Sequence, residues 1–198
     1  LEAINCYSND DEDYRRNISY YENSIKYSKD ISNLDKYKAQ FKLGSLCYSL
    51  KRYSEAEDLL REAAESGRHQ VIWKLYRLLC DLRKYGEADR MFKKLVDDGN
   101  PEALYKLGEQ AYKNKNIEEA VRRFTKAAEQ GHIESQYRLG CISDEKGNNT
   151  DARKWFKEAA EQGHAKAQYE LSCILYKENS NEYQKWLEKS ADNGYSEA

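Results

Sequence analysis

Proline is nearly absent from the sequence, since Pro101 is the only one among 198 residues. Proline lacks an amide donor and interrupts the hydrogen-bond ladder of a helix, so its scarcity favours helical structure. Long apolar runs are also missing: no stretch of about 18 residues is apolar enough to span a bilayer. The formal net charge is only −2, which provides no overall attraction to nucleic acid or to an anionic membrane.

The sequence also lacks the motifs of common catalytic and cofactor sites. It has no glycine-rich phosphate loop and no Gly-x-Ser-x-Gly elbow. The three histidines, His69, His132 and His164, have no cysteine or carboxylate pattern of a metal site around them, and we interpret them as turn residues. We therefore expect no enzymatic activity, no bound metal and no cofactor.

What the sequence does contain is an internal repeat of 32 residues. A leucine recurs at this interval, an aromatic residue precedes it by two positions, and a glycine closes each repeat. The leucines are Leu43, Leu75, Leu107, Leu139 and Leu171. A fixed period of this size is typical of stacked arrays of supersecondary units.

Apolar residues three and four apart predict two helices in each repeat. In the third repeat Asn100 and Pro101 suit an N-cap and a first helical position, and Gly131 suits a left-handed helix end. We therefore predict an all-α fold, a right-handed α-α superhelix of about five helical hairpins with an N-terminal helical cap. The predicted boundaries are the cap over 1–37 and repeats over 38–69, 70–101, 102–133, 134–165 and 166–198, together one structural domain.

The N-terminal segment has its own helical pattern. Residues 14–34 are expected to form the helical cap, after an acidic loop at 9–13. The predicted apolar points of the cap are Tyr20, Ile25, Tyr27, Ile31 and Leu34.

A glycine follows the repeated leucine at Gly44, Gly108 and Gly140, which predicts a close approach of the paired helices, because glycine otherwise costs helix stability. Tyr76 replaces this glycine in the second repeat, where we expect the two helices to be spaced further apart or shifted.

The third and fourth repeats carry a family resemblance. Both contain Tyr-x-Leu-Gly, at 105–108 and 137–140, followed by Ala-Ala-Glu-Gln-Gly at 127–131 and 159–163. This joint pattern resembles Sel1-like repeats, which belong to the tetratricopeptide-like class of helical-hairpin solenoids. The resemblance covers the chain from about Lys38 onward. The turn between the two helices is shorter than is usual in that family and is similar to the turn of tetratricopeptide repeats.

The five cysteines are expected to be free thiols. They are Cys6, Cys47, Cys80, Cys141 and Cys173. Cys141 and Cys173 occupy the same position in adjacent repeats, where packed helices lie about 8–10 Å apart, whereas a disulfide needs its Cα atoms within about 7 Å. Free thiols favour a reducing compartment such as the cytoplasm, while a periplasmic or secreted location stays open.

The repeated aromatic residue is the feature with chemical character. If the leucine is position 7 of the first helix, then positions 5, 9 and 12 lie beside the stripe that packs on the second helix. In solenoids of the resembling class these positions line the concave groove. The resulting candidates for partner binding are Phe41, Tyr48, Trp73, Arg77, Tyr105, Glu109, Tyr112, Tyr137, Tyr169 and Tyr176. The rings at position 5 either pack against neighbouring helices or stay partly open to a ligand, and tyrosine suits both roles.

The repeat pattern predicts a non-enzymatic protein–protein interaction scaffold that holds a peptide, loop or helix of another protein in the groove. No nucleic acid partner and no direct membrane insertion are expected. Weak self-association through the C-terminal end, at Tyr183 and Trp186, stays open. The resembling family also includes bacterial immunity proteins, so neutralisation of a cognate secreted toxin is one alternative function. Carbohydrate binding on the aromatic rings is a second alternative.

Overall fold

The computed structural model describes residues 9–26, 33–178 and 180–196. Helices and turns fill these ranges, and no strand occurs in them, so the predicted all-α fold is confirmed. The helices are α1 (Asn9–Lys26), α2 (Asn33–Ser49), α3 (Tyr53–Ala64), α4 (His69–Asp81), α5 (Tyr85–Asp97), α6 (Pro101–Lys113), α7 (Ile117–Ala128), α8 (Ile133–Glu145), α9 (Asn149–Glu161), α10 (Ala165–Lys177) and α11 (Tyr183–Asp192). Within the same ranges, none of the helices combines the length and the apolar character that a membrane crossing needs.

The helices pair as hairpins, and the chain groups into two compact units. The first unit is Leu1–Asp98 and the second is Gly99–Ala198. In the first unit α2 pairs with α3 and α4 with α5, while α1 packs on α2 and α3 on α4. In the second unit α6 pairs with α7, α8 with α9 and α10 with α11, while α7 packs on α8 and α9 on α10. The repeat boundaries given above, and their union in one structural domain, stay predictions.

The N-terminal helix differs from its prediction in two ways. Helix α1 begins at Asn9, so the acidic stretch 9–13, expected as a loop, lies within the helix. The residues of α1 that pack on the apolar core of this unit are Ile18, Tyr21 and Ile25. Tyr20 is 66% exposed, because it lies to one side of this i, i+3, i+7 stripe. The remaining predicted points lie outside the described residues or side chains: Tyr27, Ile31 and Leu34.

The turns inside the first four hairpins share one backbone geometry. The left-handed residues are Lys51, Arg83, Lys115 and Gly147, at 32-residue intervals, with φ between 58° and 73°. The following amide then bonds to the carbonyl five residues back, as Asn116 does to Ala111 at 2.9 Å, which satisfies a free carbonyl at the helix end. Two predicted helix ends are also confirmed: Asn100 accepts the amide of Ala103, and Gly131 has a φ of 81°.

The second unit shows the close helix approach that its glycines predict. A Cβ atom built on Gly108 would lie 2.5 Å from Cε1 of Phe124, and one on Gly140 would lie 2.5 Å from Cδ1 of Phe156. Both phenylalanines are buried in the core. The missing side chain on one helix therefore makes the room that the ring on the paired helix occupies.

The second hairpin of the first unit packs differently at the same position. The Tyr76 ring, which stands in place of the glycine, contacts the Phe92 ring at a centroid distance of 5.4 Å. Phe92 is only half-buried, unlike the corresponding rings of the second unit. The larger residue on α4 thus contacts Phe92 at the place where Gly108 and Gly140 leave room for a buried phenylalanine. The wider spacing or shift of these two helices stays a prediction.

Candidate functional site

The five aromatic residues at position 5 all lie on first helices, and each is half-buried. Within the second unit, the Tyr105 ring packs on Phe124 and on His132, at centroid distances of 5.7 Å and 4.9 Å. The Tyr137 ring repeats this arrangement with Phe156 and His164, at 5.9 Å and 4.5 Å. The faces of these two tyrosines therefore contact their own hairpin and the turn that follows it.

The other position-5 rings also have neighbours within their own unit. Phe41 packs against the core of the first unit. The Trp73 ring lies 5.2 Å from Tyr76, and the Tyr169 ring lies 5.1 Å from Tyr195. Each position-5 ring thus has at least one packing contact within its own unit, whereas the roles of these rings in partner binding stay a prediction.

The two histidines of the second unit have a structural role that the sequence interpretation missed. Nδ1 of His132 accepts the amide of Ser135 at 3.2 Å, so His132 is the N-cap of α8 and not only a turn residue. Because Nδ1 accepts, Nε2 carries the hydrogen, and it faces Glu102 of the preceding first helix at 3.1 Å. His164 caps α10 through the amide of Ala167 in the same way. His132 therefore both contacts the Tyr105 ring and caps the start of α8.

Glu109, at position 9 of α6, forms an ion pair that connects two first helices of the second unit. Oε1 of Glu109 lies 3.0 Å from Nε of Arg138, which comes from the next first helix, α8. Burial raises the pKa of Tyr105, and a hydrogen bond with Arg138 acts in the opposite direction. Glu109, one of the predicted binding residues, is therefore already paired by a cation of its own chain.

The cysteines of the described residues are free thiols, as predicted. They are Cys47, Cys80, Cys141 and Cys173. Cys6 lies outside the described residues. Burial raises the pKa of the Cys141 thiol, and its hydrogen bond with Tyr137 opposes that rise. For Tyr137, burial again raises the pKa most, and the contact with Cys141 raises it further.

Position 12 tyrosines connect successive first helices. The Tyr48 hydroxyl donates to Asp81, and the Tyr112 hydroxyl donates to Glu145 at 3.4 Å. Each acceptor lies 33 residues after its tyrosine, so the same bond recurs in the two units. Tyr176 is 65% exposed, and its ring meets Tyr183 edge-on at 5.2 Å.

A pair of cations lies beside Tyr48 in the first unit. Nζ of Lys74 sits 4.7 Å from the centre of the Tyr48 ring, and Arg77 follows three residues later on α4. Burial lowers the pKa of Lys74, and the nearby positive charge of Arg77 lowers it further. Lys74 is half-buried and Arg77 is exposed, and neither forms an ion pair within the described part of the chain.

The structure thus brings four of the ten predicted residues together in two clusters, and each cluster contains a residue that was not predicted. In the first cluster Lys74 lies over the Tyr48 ring and close to the charge of Arg77. In the second cluster Arg138 pairs with Glu109 and forms a hydrogen bond with Tyr105. Lys74 and Arg138 share position 6, one residue before the repeated leucine. The 32-residue period was the available signal, because four of the five repeats have a basic residue there: Lys42, Lys74, Lys106 and Arg138. Among the residues that the structure describes, no three metal-binding side chains come together.

Family comparisons agree with the helical hairpins. A tetratricopeptide repeat model matches residues 10–70, a model described as plant tetratrico peptide repeats matches 79–154, and a Sel1 repeat model matches 184–195. No curated protein matches the sequence.

Solved structures show the same fold at low sequence identity. The Sel1 repeat protein from Oxalobacter formigenes is 17% identical, with a TM-score of 0.66 over 94% of this chain and 84% of that chain. Pseudomonas aeruginosa pilF is 21% identical, with a TM-score of 0.55 over 83% of this chain and 80% of that chain. The APC/C hetero-tetramer Cut9–Hcn1 is 14% identical, with a TM-score of 0.53 over 92% of this chain and 37% of that chain.

Proposed function

Because the chain is a Sel1- and tetratricopeptide-like repeat protein, we propose that it is a non-enzymatic scaffold that binds a segment of another protein. Repeats of this class are typically scaffolds without catalytic activity, and their extended surfaces serve protein interaction. Cut9–Hcn1, one of the proteins with a similar fold, is itself a hetero-tetramer. The proposed binding surface is formed by positions 5, 9 and 12 of the first helices, with Lys74 of position 6 beside them, taken within each compact unit.

The observation that carries this proposal is the cation pair beside Tyr48. Lys74 is half-buried and close to a second cation, Arg77, and both conditions disfavour its charge. A carboxylate brought by a partner would offset both effects, and charge-assisted hydrogen bonds of this kind are among the stronger polar contacts. Tyr48 and Trp73 provide rigid ring surface next to the charges, and aromatic residues and arginine are enriched where binding energy is concentrated. The proposed partner segment is therefore acidic.

The rings of the second unit support a protein partner more than a sugar. Sugars stack on open ring faces, whereas Tyr105 and Tyr137 each pack on a phenylalanine and a histidine of their own unit. Their hydroxyls and edges can still contact a peptide, because tyrosine combines a rigid apolar ring with a polar tip.

The test compares two double variants with the same change in charge. Lys74→Gln/Arg77→Gln removes the proposed site, while Arg90→Gln/Lys93→Gln removes two exposed cations from α5. The partner is first identified by affinity capture with the full chain and mass spectrometry, and its affinity for each variant is then measured by titration calorimetry.

We expect the α4 variant to weaken binding by about tenfold or more, since loss of a desolvated charge pair costs about 2–5 kcal/mol. The α5 variant should bind almost as well as the unmodified chain. Equal weakening by both variants, or no weakening by either, would contradict the proposal. Circular dichroism of each variant checks that the helices are intact.

A further inference from the structure

A cavity of about 390 Å³ opens on the first compact unit, between α1, α2 and α3. Its volume lies within the range of about 300–1,000 Å³ that is typical of ligand pockets. It includes none of the residues at positions 5, 9 and 12 that form the proposed binding surface. The cavity is therefore a separate site on the same unit.

The floor of the cavity is apolar. It is formed by Ile25 of α1, Leu43 and Cys47 of α2, and Leu59 of α3. Leu43 and Cys47 belong to the buried core of the unit, whereas Ile25 and Leu59 are half-buried and pack against that core. An aliphatic group that entered the cavity would meet carbon and sulfur atoms, and burial of its surface would be favourable.

The rim of the cavity is acidic. Glu22, Glu55 and Asp58 contribute carboxylates, against a single cation in the lining, Lys26. Glu55 is already paired, since Arg52 Nε donates to it at 2.9 Å. Glu22 and Asp58 are exposed and form no ion pair within the described ranges, so two carboxylates remain available at the rim.

Two of the rim carboxylates affect the pKa of Cys47 on the floor of the cavity. Burial raises the pKa of the Cys47 thiol, and the negative charges of Glu55 and Glu22 raise it further, against the opposing effect of Arg52. The lining therefore combines an apolar base with three carboxylates and one lysine, so an anionic group would be repelled from it.

We propose that this cavity accepts a lysine or arginine side chain of the partner protein. The aliphatic stem of such a residue packs on the floor, while its charged head reaches Glu22 and Asp58 at the rim. An apolar side chain would leave the carboxylates without a partner, and an acidic one would be repelled. The inference rests on the proposed scaffold function, because it assumes a protein partner, and it adds a basic anchor to the acidic segment proposed for α4.

The probes are three amidated helical peptides that share leucines at i, i+3 and i+4 spacing. Their other positions are lysine, glutamine or glutamate. Binding to the full chain is followed by NMR of the methyl groups of Ile25, Leu43 and Leu59, which report directly on the cavity. We expect the lysine peptide to shift these methyl signals, and the glutamine and glutamate peptides to bind at least about tenfold more weakly.

Two exposed-residue variants test the rim. Glu22→Gln/Asp58→Asn should weaken the lysine peptide about tenfold, whereas Glu118→Gln/Glu129→Gln, the same charge change on the second unit, should alter its affinity less than about twofold. Lys26→Gln should strengthen binding, because it removes the one cation of the lining.

Several outcomes would overturn the cavity proposal. They are equal affinity for the lysine and glutamine peptides, equal weakening by the two double variants, and binding that leaves the three cavity methyl groups unshifted. The proposed scaffold function has a separate readout in the Lys74→Gln/Arg77→Gln variant. If that variant loses the natural partner while Glu22→Gln/Asp58→Asn retains it, only the cavity proposal fails.

Discussion

Replacement of Gly108 by alanine should destabilise the second unit, although alanine is the better helix former. The added Cβ would lie 2.5 Å and 2.6 Å from Cε1 and Cδ1 of Phe124. Favourable carbon–carbon contacts have separations of about 3.5–4.0 Å, so the groups must move apart by about 1 Å. Phe124 has no exposed surface and cannot swing into solvent. The two helices of this hairpin must therefore separate or tilt.

The expected magnitude follows from two opposing effects. Overpacking of a well-packed core costs about 1–3 kcal/mol. The exchange of glycine for alanine within a helix returns about 1 kcal/mol, because glycine has the larger conformational entropy to lose. We therefore expect a net loss of about 1 kcal/mol, with an upper value of about 2 kcal/mol, in the free energy of unfolding.

Gly86 and Gly44 provide matched controls for the same chemical change. Gly86 lies near the start of α5, and nothing lies within 4 Å of a Cβ built on it, so Gly86→Ala should stabilise by about 0.4–1 kcal/mol. A Cβ on Gly44 would meet Cγ of Leu60 at 3.0 Å, which is a milder contact than the 2.5 Å contact at Gly108. Gly44→Ala should thus fall between the other two.

Urea and thermal unfolding, followed by circular dichroism, provide the measurement. For a chain of this size about 1 kcal/mol corresponds to a shift of about 2–4 °C in the melting temperature. A second change supplies the rescue: Gly108→Ala combined with Phe124→Leu should cost less than the sum of the two single changes, because the shorter side chain vacates the contact. The steric argument fails if Gly108→Ala is as stable as Gly86→Ala, or if the double variant is fully additive.

Two further predictions concern a helix cap and an ion pair. His132→Ala should lower the free energy of unfolding by about 1 kcal/mol, because the N-cap of α8 is lost. His132→Asn should recover part of that loss, since asparagine caps well but cannot reproduce the ring contact with Tyr105. Urea unfolding would contradict the capping role if both variants were equally unstable. For Glu57, burial raises the pKa, but hydrogen bonds from Lys84 and Arg61 outweigh it and hold the pKa below its usual 4.5. A pKa that is lower in the folded state stabilises the fold at pH values above the unfolded-state pKa, and this stabilisation is lost as the pH falls through the folded-state pKa. The difference in unfolding free energy between the unmodified chain and Glu57→Gln should therefore shrink below about pH 4.5 and stay level above it.

The helices and their ends were predictable because they depend on local rules. Apolar spacing, the Asn100–Pro101 pair and the left-handed Gly131 act within a few residues, and the structure has each of them where the sequence places it. The 32-residue period then repeats the same rules along the chain. Tyr76 contacts Phe92 of the paired helix, while the wider helix spacing that its size predicts stays a prediction.

The orientation of the candidate residues was not predictable to the same degree. Whether the Tyr105 ring is open depends on His132, which follows it by 27 residues, and periodicity does not show which side chains meet across a turn. The basic residue at position 6 was visible as a repeated charge, yet its contacts with Tyr48 and Glu109 require the spacing between successive first helices. Tyr20 was misplaced because the predicted apolar points of its helix did not follow a single stripe.

The packing of these rings also decides which substitutions can separate binding from folding. A Tyr105→Ala change would remove the contacts with Phe124 and His132 together with the hydroxyl, and aromatic truncation in a packed site costs about 3–5 kcal/mol. Loss of a partner in such a variant could follow from disruption of the hairpin alone. Arg77 has no such structural contact among the described residues, and Tyr105→Phe keeps the ring while it removes the polar tip. Binding by this surface must therefore be judged from its charges and hydroxyls, since the Tyr105 and Tyr137 rings already make contacts within the fold.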